Sequence, residues 1–278
     1  MQPTEHATPA APNQAPRPSF VDHFQRYDRM MQPFDARLIE AAALQRGQRV
    51  LDVGCGAGTT SLYAAQQVGG DGEVLGIDVD ARAVRVAQQR ARRAGCPQVR
   101  FERSDAATVA LPGGADAIVS RFGTLHFEDP VAAHDNLRRG LRPGGRLHFV
   151  CARAAEYNPW ASVPSSTLLQ LAGLPASLPT GGPFTLSDSA TIRRILEDAG
   201  FERPHIRSID HDLYVGADVD DALEFFFDAD GDKVGWLLEK VGYRRATDAL
   251  RTALRPYAHR DGVWMPGSAW LVSARRAT

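Results

Sequence analysis

The chain has 278 residues, of which 44% are hydrophobic and 23% charged, which is enough for one large soluble α/β domain with a cap. Its net charge of −1 excludes a global basic field that would attract nucleic acid, and no run of about eighteen apolar residues predicts a membrane span. The three cysteines, Cys55, Cys96 and Cys151, are widely spaced, so we expect a cytoplasmic protein without a structural metal site or membrane partner.

The N-terminal residues are rich in proline and alanine and cannot build a core, so residues 1–18 are predicted to be a disordered tail. They also lack the apolar region of a secretory signal. Ser19 is a candidate cap for a helix with apolar spacing. A second helix is predicted over 35–44, and Gly47 separates it from the first strand.

The first strand and the glycines after it are the most informative feature of the chain. Residues 50–53 are hydrophobic and are typical of a buried parallel strand. Gly54, Gly56 and Gly58 follow, and then a helix-compatible stretch over 59–68. Glycines let the backbone approach a ligand closely. The next strand ends at Asp78, whose carboxylate can accept hydrogen bonds from two ribose hydroxyls, so the unit predicts a nucleoside-binding βαβ.

Strands and helices alternate further along the chain, which predicts a mostly parallel sheet with helices on both faces. Helices are expected over 79–94, 130–141 and 187–199, and strands over 98–102, 115–120, 146–151, 205–215 and 269–274. Residues 19–278 then form a single domain whose helical cap is drawn from 19–46, 153–186 and 216–266. The aspartates at 228, 230 and 232 suggest a calcium loop, but Lys233 occupies the position that needs glycine, so we interpret them as a solvated turn.

Two ligand classes use such a βαβ unit. Dinucleotide enzymes need GxGxxG, whereas this loop reads GxGxG with Thr59 at the third position. Asp52 beside the loop would repel a pyrophosphate and suits the ammonium group of an amino acid. The segment VLDVGCGAG (50–58) with the spaced acid Asp78 resembles the first motif of class I S-adenosylmethionine-dependent methyltransferases. The resemblance implies a doubly wound Rossmann-like sheet of seven strands, with the last strand antiparallel and inserted beside the sixth.

The resemblance also implies where the cofactor binds. Residues 54–56 approach the methionine tail with their amides, Asp78 binds the ribose, and 120–122 lie nearest the sulfonium. Val79 lies against the adenine, and Asp105 accepts a hydrogen bond from its amino group. The full set of implied cofactor contacts is Asp52, Gly54, Cys55, Gly56, Gly58, Asp78, Val79, Asp105, Ala106, Ser120, Arg121 and Phe122.

Four further segments resemble a narrower group, the UbiE/Coq5-like bacterial small-molecule methyltransferases. They are SRFGTLHFEDP (120–130), RPGGRLHFV (142–150), NPW (158–160) and AWLVSAR (269–275). This group has varied substrates, so the resemblance implies the reaction and not the acceptor.

Histidine is the residue type best suited to remove a proton from an acceptor near neutral pH. His126 follows the fourth strand, close to the expected methyl position, and is the candidate catalytic base. The alternative is a histidine that only packs within its loop. His134 and His148 fit a structural role, and His211 with Asp212 is a second candidate pair at the rim.

The cap carries aromatic side chains that predict a pocket for a flat or apolar ligand; the alternative is that they form the core of the cap. These candidate substrate-binding residues are Tyr27, Tyr157, Trp160, Phe184, Phe225, Phe226 and Trp264. We therefore expect methyl transfer to an oxygen, nitrogen or carbon of a small, apolar or aromatic metabolite, with S-adenosylhomocysteine as product. The alternatives are an RNA or protein methyltransferase, a non-methylating enzyme that binds the same cofactor, and a cofactor-free interaction protein.

Overall fold

The computed structural model describes residues 20–175 and 178–278, with residues 229–234 as helix backbone alone. The predicted tail over 1–18 and the predicted cap Ser19 lie outside the described residues. The helices are α1 (Phe24–Ala42), α2 (Thr59–Val68), α3 (Ala81–Ala94), α4 (Pro130–Gly140), α5 (Pro159–Leu171), α6 (Ser189–Asp198), α7 (Val219–Val241) and α8 (Tyr243–Leu254). The strands are β1 (Arg49–Val53), β2 (Glu73–Asp78), β3 (Val99–Arg103), β4 (Ala115–Arg121), β5 (Leu141–Ala152), β6 (Glu202–Gly216), β7 (Ala258–His259) and β8 (Gly262–Arg275).

The sheet has the order β3-β2-β1-β4-β5-β8-β6, and the two-residue strand β7 pairs with β8 at its margin. Strands β1 to β5 pair in parallel, and β8 is antiparallel to both of its neighbours, β5 and β6. The doubly wound sheet with an inserted antiparallel last strand is therefore confirmed. Because strand order reverses between β1 and β4, a crevice opens at the carboxyl ends of these strands.

Each face of the sheet carries its own apolar core. One core contains Leu51, Ile118, Leu147 and Leu196 and lies under α4 and α6. The opposite core contains Val50, Ala64, Ala87 and Val119 and lies under α2 and α3. Aspartate side chains cap α3, α4, α6 and α7 by accepting backbone N–H bonds in the first turn, which fixes where these helices begin.

Two local predictions were wrong. The N-terminal segment forms one helix, α1, and not two, although Pro33 lies inside it. Proline costs roughly 3 kcal/mol within a helix, and the burial of Met30, Phe34 and Leu38 on one face offsets this cost. The turn predicted around Asp228 is also absent, because α7 continues through it as a helix from Val219 to Val241.

The cap consists of α1 on one side and α5, α7 and α8 on the other. Helix α1 packs on β4, β5 and β6 and on α2, so it crosses the sheet at the edge where the crevice opens. The side chains of α5, α7 and α8 share a separate apolar cluster around Leu168, Leu250 and Leu254. No helix within 20–175 or 178–278 has the length and apolar character that crossing a membrane requires.

Candidate functional site: a glycine-lined cradle at the carboxyl ends of β1, β2 and β4

The loop after β1 touches the loop after β4 through backbone alone. Gly54 has φ +67°, and a Cβ there would lie 2.4 Å from the Cα of Gly123. A Cβ on Gly123 would lie 2.2 Å from the carbonyl oxygen of Val53. Gly58 has φ +85°, and its Cβ would meet the ring of Phe101 at 2.8 Å. Only glycine fits Gly54 and Gly123, so this contact fixes the floor of the crevice.

Asp78 is held by the same loop. Its Oδ2 accepts the N–H of Gly56 at 2.8 Å, and its Oδ1 accepts the N–H of Asp80 at 2.9 Å. The N–H groups of Gly54 and Cys55 donate to the carbonyl of Ile77 at 2.9 and 3.0 Å. The expectation that these three amides face the methionine tail was wrong in its geometry, because they join the loop to β2. Each Asp78 oxygen keeps a second acceptor site for a ribose hydroxyl.

Asp52 lies beneath the loop and is 1% exposed. The hydroxyl of Ser61 donates to its Oδ2 at 2.6 Å, while its Oδ1 has no hydrogen-bond partner among the described residues. Burial raises the pKa of Asp52 to about 7, against the lowering effect of the Ser61 hydrogen bond and of Arg121. A cation near Oδ1 would stabilise the ionised form.

Cys55 is a buried filler in this loop. Its side chain is 4% exposed. Burial, with the nearby carboxylates of Asp52 and Asp78, raises the pKa of its thiol far above the ordinary range. A thiolate is the reactive form of cysteine, so this geometry opposes a nucleophilic role.

The predicted adenine end of the crevice is open. Val79 is 62% exposed. Asp105 is exposed, and its Oδ1 accepts the N–H of Ala107 at 2.9 Å. Ala106 is buried, and its carbonyl accepts a hydrogen bond from Asn136 at 2.9 Å. An apolar surface next to a carboxylate acceptor suits a purine ring with an amino group.

The end of β4 is fixed by a buried serine. The Ser120 hydroxyl donates to the carbonyl of Val53 at 2.7 Å and accepts the N–H of Gly123 at 3.2 Å. Its side chain is fully buried, so it braces the crevice from below. Phe122 has φ +58°, a left-handed conformation that non-glycine residues rarely adopt. This conformation directs the chain away from β4 at the point nearest the expected sulfonium.

Arg121 joins β4 to α1, which the sequence reasoning missed. Its guanidinium is bound by Asp28 at 3.0 Å and by Asp35 at 2.8 Å. Asp28 also accepts the hydroxyl of Thr59 at 2.5 Å and pairs with Arg90 at 3.1 Å. The seven-residue spacing of Asp28 and Asp35 on one helix face was the available signal. Arg121 is thus engaged by α1.

These charges also perturb each other. Burial raises the pKa of Asp35 to about 6, although Arg121 lowers it. Burial lowers the pKa of Arg121, but the carboxylates of Asp35 and Asp28 outweigh this, so the net direction is upward. The two α1 carboxylates are therefore paired, Asp28 with Arg121 and Arg90 and Asp35 with Arg121. Asp52 keeps a buried oxygen without a hydrogen-bond partner among the described residues, and its ionised form would favour a cationic ligand.

The candidate histidines have different surroundings. His126 ends the short 3₁₀ turn Gly123–His126 and is exposed. His134 and His148 are buried, and burial lowers the pKa of each, that of His148 to about 4. His211 packs at 6.0 Å from the ring of Phe34, and Asp212 follows it on β6, where neighbouring side chains point to opposite faces. The proposed His211–Asp212 pair is therefore wrong.

His23, just before α1, is a further residue that the sequence reasoning did not identify. Its Nε2 is buried, has no hydrogen-bond partner among the described residues, and lies 3.9 Å from a carboxylate oxygen of Asp228. Its ring lies 6.5 Å from that of Phe225.

Aromatic residues from α1, α5, α7, the end of β4 and the short turn Gly182–Phe184 pack together in the cap. Tyr27 lies 5.0 Å from Phe225, Phe34 lies 6.4 Å from Phe122, and Trp160 lies 6.2 Å from Phe184. They pack into two adjoining apolar clusters that share Phe122 and Trp160. We call this set the aromatic cluster: Tyr27, Phe34, Phe122, Trp160, Phe184 and Phe225.

The other predicted substrate residues lie outside this cluster. Tyr157 is 46% exposed, and the guanidinium of Arg153 stacks on its ring at 4.0 Å. Phe226 packs with Phe227 in the helical cluster of α5, α7 and α8. Trp264 packs edge-to-face on Tyr214 at 5.2 Å. The structure therefore brings together four of the predicted residues and separates these three: Tyr157, Phe226 and Trp264.

The crevice fits S-adenosylmethionine at each end. Asp52 presents a buried unpartnered oxygen, and Asp78 is oriented by two backbone amides. Among the described residues, no group of three or more His, Cys, Asp or Glu side chains is arranged to bind a metal ion.

Known proteins support this interpretation. Residues 50–145 match a methyltransferase domain family. The chain is 29% identical over 234 residues to the nocamycin O-methyltransferase of Saccharothrix syringae, covering 78% of this chain and 81% of that protein. It is 34% identical over 164 residues to phosphoethanolamine N-methyltransferase 1 of Triticum aestivum, covering 59% of this chain and 30% of that enzyme. The crystal structure of YcgJ from Bacillus subtilis has the same fold, with a TM-score of 0.59, 21% identity, and coverage of 89% and 99%.

The fold and the cradle define a class I S-adenosylmethionine-dependent methyltransferase. The chain is an S-adenosylmethionine-dependent methyltransferase with a methyltransferase domain over residues 50–145, and its cofactor is S-adenosylmethionine. We call the residues at the crevice (52–58, 78–79, 105–106 and 120–122) the cofactor cradle.

Proposed function

We propose that this protein transfers a methyl group from S-adenosylmethionine to a small apolar or aromatic metabolite, in bacterial secondary metabolism. The nucleophile is an oxygen, nitrogen or carbon atom, and we favour oxygen. This preference is supported by the likeness to nocamycin O-methyltransferase, which extends over most of both chains.

The position of Phe122 is the observation that carries the proposal. Phe122 immediately follows the Arg121 end of β4, on the floor of the cofactor cradle. Its ring packs among the side chains of Phe34, Trp160 and Phe184 in the cap. One residue therefore joins the cradle to the aromatic cluster. A ring that enters this cluster would lie next to the cofactor and make mostly apolar contacts.

The cofactor supplies a methyl group that is already activated on a sulfonium. The protein has to hold it, align the acceptor and exclude water. Asp78 would bind the ribose, Asp52 and the carbonyl groups of the glycine loop would face the ammonium group, and Asp105 would accept the adenine amino hydrogen. Helix α1, fixed through Asp28 and Asp35, would cover the crevice.

An acceptor that carries a proton must lose it, and His126 is the proposed base. His126→Ala should then reduce turnover by about 10²–10⁴-fold and leave cofactor affinity near wild type. Near-normal turnover would contradict this role and would direct attention to His23, which lies beside Phe225.

A direct assay separates the candidate functions. The protein is incubated with S-adenosylmethionine and, in parallel, with planar phenols, aromatic acids, transfer RNA and basic peptides, and S-adenosylhomocysteine is measured together with each product. We expect stoichiometric S-adenosylhomocysteine with small aromatic acceptors. Methylated RNA or peptide would overturn the proposal, as would a converted small molecule without S-adenosylhomocysteine, which would identify a non-methylating enzyme.

A further inference from the structure

Asn158 lies between β5 and α5 and is 1% exposed. Every polar atom of its side chain is used. Nδ2 donates to the carbonyls of Ser268 and Arg153, each at 3.0 Å, and to that of Ala154 at 3.3 Å. Oδ1 accepts the backbone N–H of Ser268 and the indole N–H of Trp160, each at 2.9 Å. A buried amide with all its bonds satisfied has one stable orientation.

These bonds continue the β5–β8 ladder beyond its last residue pair, Ala152 with Ala269. The N–H of Arg153 donates to the carbonyl of Ser268 at 3.1 Å, and the Asn158 side chain then binds both backbone groups of Ser268. An asparagine amide carries the same donor and acceptor as a peptide group. It therefore replaces a strand neighbour and attaches the start of α5 rigidly to the sheet.

Trp160 is fixed by the same amide. Its indole N–H donates a hydrogen bond to Oδ1 of Asn158, and its ring is half-buried. The ring packs against the cluster of α1 and the sheet, the cluster of α5, α7 and α8, and the small cluster around Phe184. Its plane is tilted by 32° from that of Phe184. Phe122 reaches the same small cluster from the end of β4.

We propose that Asn158 is a positioning residue for the methyl acceptor: it orients Trp160 so that Trp160, Phe122 and Phe184 form an aromatic slot for a planar apolar ring. The inference rests on the proposed function, because it needs an acceptor that enters from the cap. Aromatic rings stack best with offset or tilted planes and centroids 4.5–7 Å apart. A freely rotating indole would lose this preorganisation, so affinity for a flat ligand would fall.

Fluorine NMR tests the first half of the inference without any ligand. Protein labelled with 6-fluorotryptophan has four tryptophans, and Trp160→Phe assigns the signal of Trp160. Asn158→Ser should shift and broaden that signal and leave the signals of Trp236 and Trp270 in place. Ser268→Ala is the matched control, because it removes a hydroxyl bonded to Asp210 but keeps the backbone groups that Asn158 binds.

Binding of 1,8-dihydroxyanthraquinone in the presence of S-adenosylhomocysteine tests the second half. Asn158→Ser should weaken dye binding about tenfold, which corresponds to about 1.4 kcal/mol. Ser268→Ala should bind the dye within twofold of wild type, and S-adenosylhomocysteine affinity should be unchanged in both. Trp160→Phe removes the indole N–H while keeping the Asn158 ladder. It should weaken dye binding too, so it tests the slot even if Asn158→Ser does not fold.

The outcomes separate this inference from the proposed function. An unmoved Trp160 signal in folded Asn158→Ser protein would overturn the positioning role alone. Unchanged dye affinity in that variant and in Trp160→Phe would overturn the slot as well. Failure of the wild-type protein to bind the dye would overturn the slot. If the dye binds as expected but no small molecule is methylated in the direct assay, the proposed function fails and the slot stands.

Discussion

The cofactor cradle and the cap are built in different ways. In the cradle, most contacts are made by backbone atoms: Gly54 touches Gly123, and the amides of Gly56 and Asp80 orient Asp78. In the cap, side chains distant in sequence make the contacts, as when Asp28 and Asp35 hold Arg121 or Asn158 holds Trp160. Backbone contacts tolerate few residue types, whereas side-chain contacts can be rearranged. The comparison therefore predicts that single changes in the cradle weaken cofactor binding and that single changes in the cap weaken acceptor binding.

The largest effect is expected at Gly54. In Gly54→Ala the new Cβ would lie 2.4 Å from the Cα of Gly123, and φ +67° is unfavourable for alanine. Both loops must move, so we expect S-adenosylmethionine affinity to fall at least a hundredfold in calorimetry. Gly70→Ala is the control, because a Cβ there meets nothing within 4 Å. Equal affinities for the two variants would show that the loops are not in rigid contact.

Asp78→Ala should have the next largest effect. The variant loses the proposed acceptor for the ribose hydroxyls and also the acceptor for the N–H groups of Gly56 and Asp80. Hydrogen bonds to charged groups contribute roughly 1.5–3 kcal/mol each, so cofactor affinity should fall at least tenfold in the same titration. Asp105→Ala, at the exposed adenine end, is expected to weaken binding less. An unchanged cofactor affinity in Asp78→Ala would show that Asp78 does not bind the ribose.

The neighbouring residues Phe225 and Phe226 test the cap. Phe225 is 7% exposed and faces Tyr27 in the aromatic cluster, whereas Phe226 faces the helical cluster. Phe225→Leu should weaken binding of 1,8-dihydroxyanthraquinone several-fold, because stacked rings contribute about 0.5–1.5 kcal/mol beyond their buried area. Phe226→Leu should lower Tm and leave dye affinity unchanged. The same dye affinity in both variants would mean that Phe225 is cap core.

The smallest effect is expected from the proton on Asp52. Burial raises its pKa to about 7 in the ligand-free protein, and the sulfonium and ammonium charges should lower it again. Binding of S-adenosylmethionine at pH 7 should therefore release about half a proton. Calorimetry in two buffers of different ionisation enthalpy measures this number. S-adenosylhomocysteine lacks the sulfonium charge and should release less, and Asp52→Asn should remove the contribution.

The protonation of Asp52 should also make the stability of the folded protein depend on pH. Because the folded-state pKa of Asp52 lies above its ordinary value, its contribution is fully present below about pH 4 and is lost as pH rises through about 7. Asp52→Asn should therefore raise Tm relative to wild type more at pH 8 than at pH 5, and the difference should vanish below about pH 4. Asp35→Asn is the comparison, since burial raises the pKa of Asp35 to about 6. If the proton release on S-adenosylmethionine binding persists in Asp52→Asn but disappears in Asp35→Asn, the group that loses the proton is Asp35 on α1.

Several elements could be predicted because they depend on local patterns. The strand over 50–53, the glycines after it and the acid at Asp78 identified the βαβ unit, and the strand–helix alternation identified the sheet. The prediction of two helices in place of α1 was wrong, because local propensity cannot weigh the burial of Met30, Phe34 and Leu38, which holds the helix together across Pro33. The prediction of a turn at Asp228 was wrong for the same reason. Acidic residues suggested a loop, but α7 buries apolar side chains in the cluster that it shares with α5 and α8.

The sequence by itself determined the fold and the methyl donor, because both depend on residues close together along the chain. Glycines at fixed spacing and a carboxylate at a strand end leave few alternatives for the backbone or for the ligand. Only the tertiary structure decided that the loop amides bind β2, that Arg121 pairs with α1, and that Phe225 joins the aromatic cluster while Phe226 does not. These outcomes depend on which helix face meets the sheet, and that is set by the burial of many side chains at once.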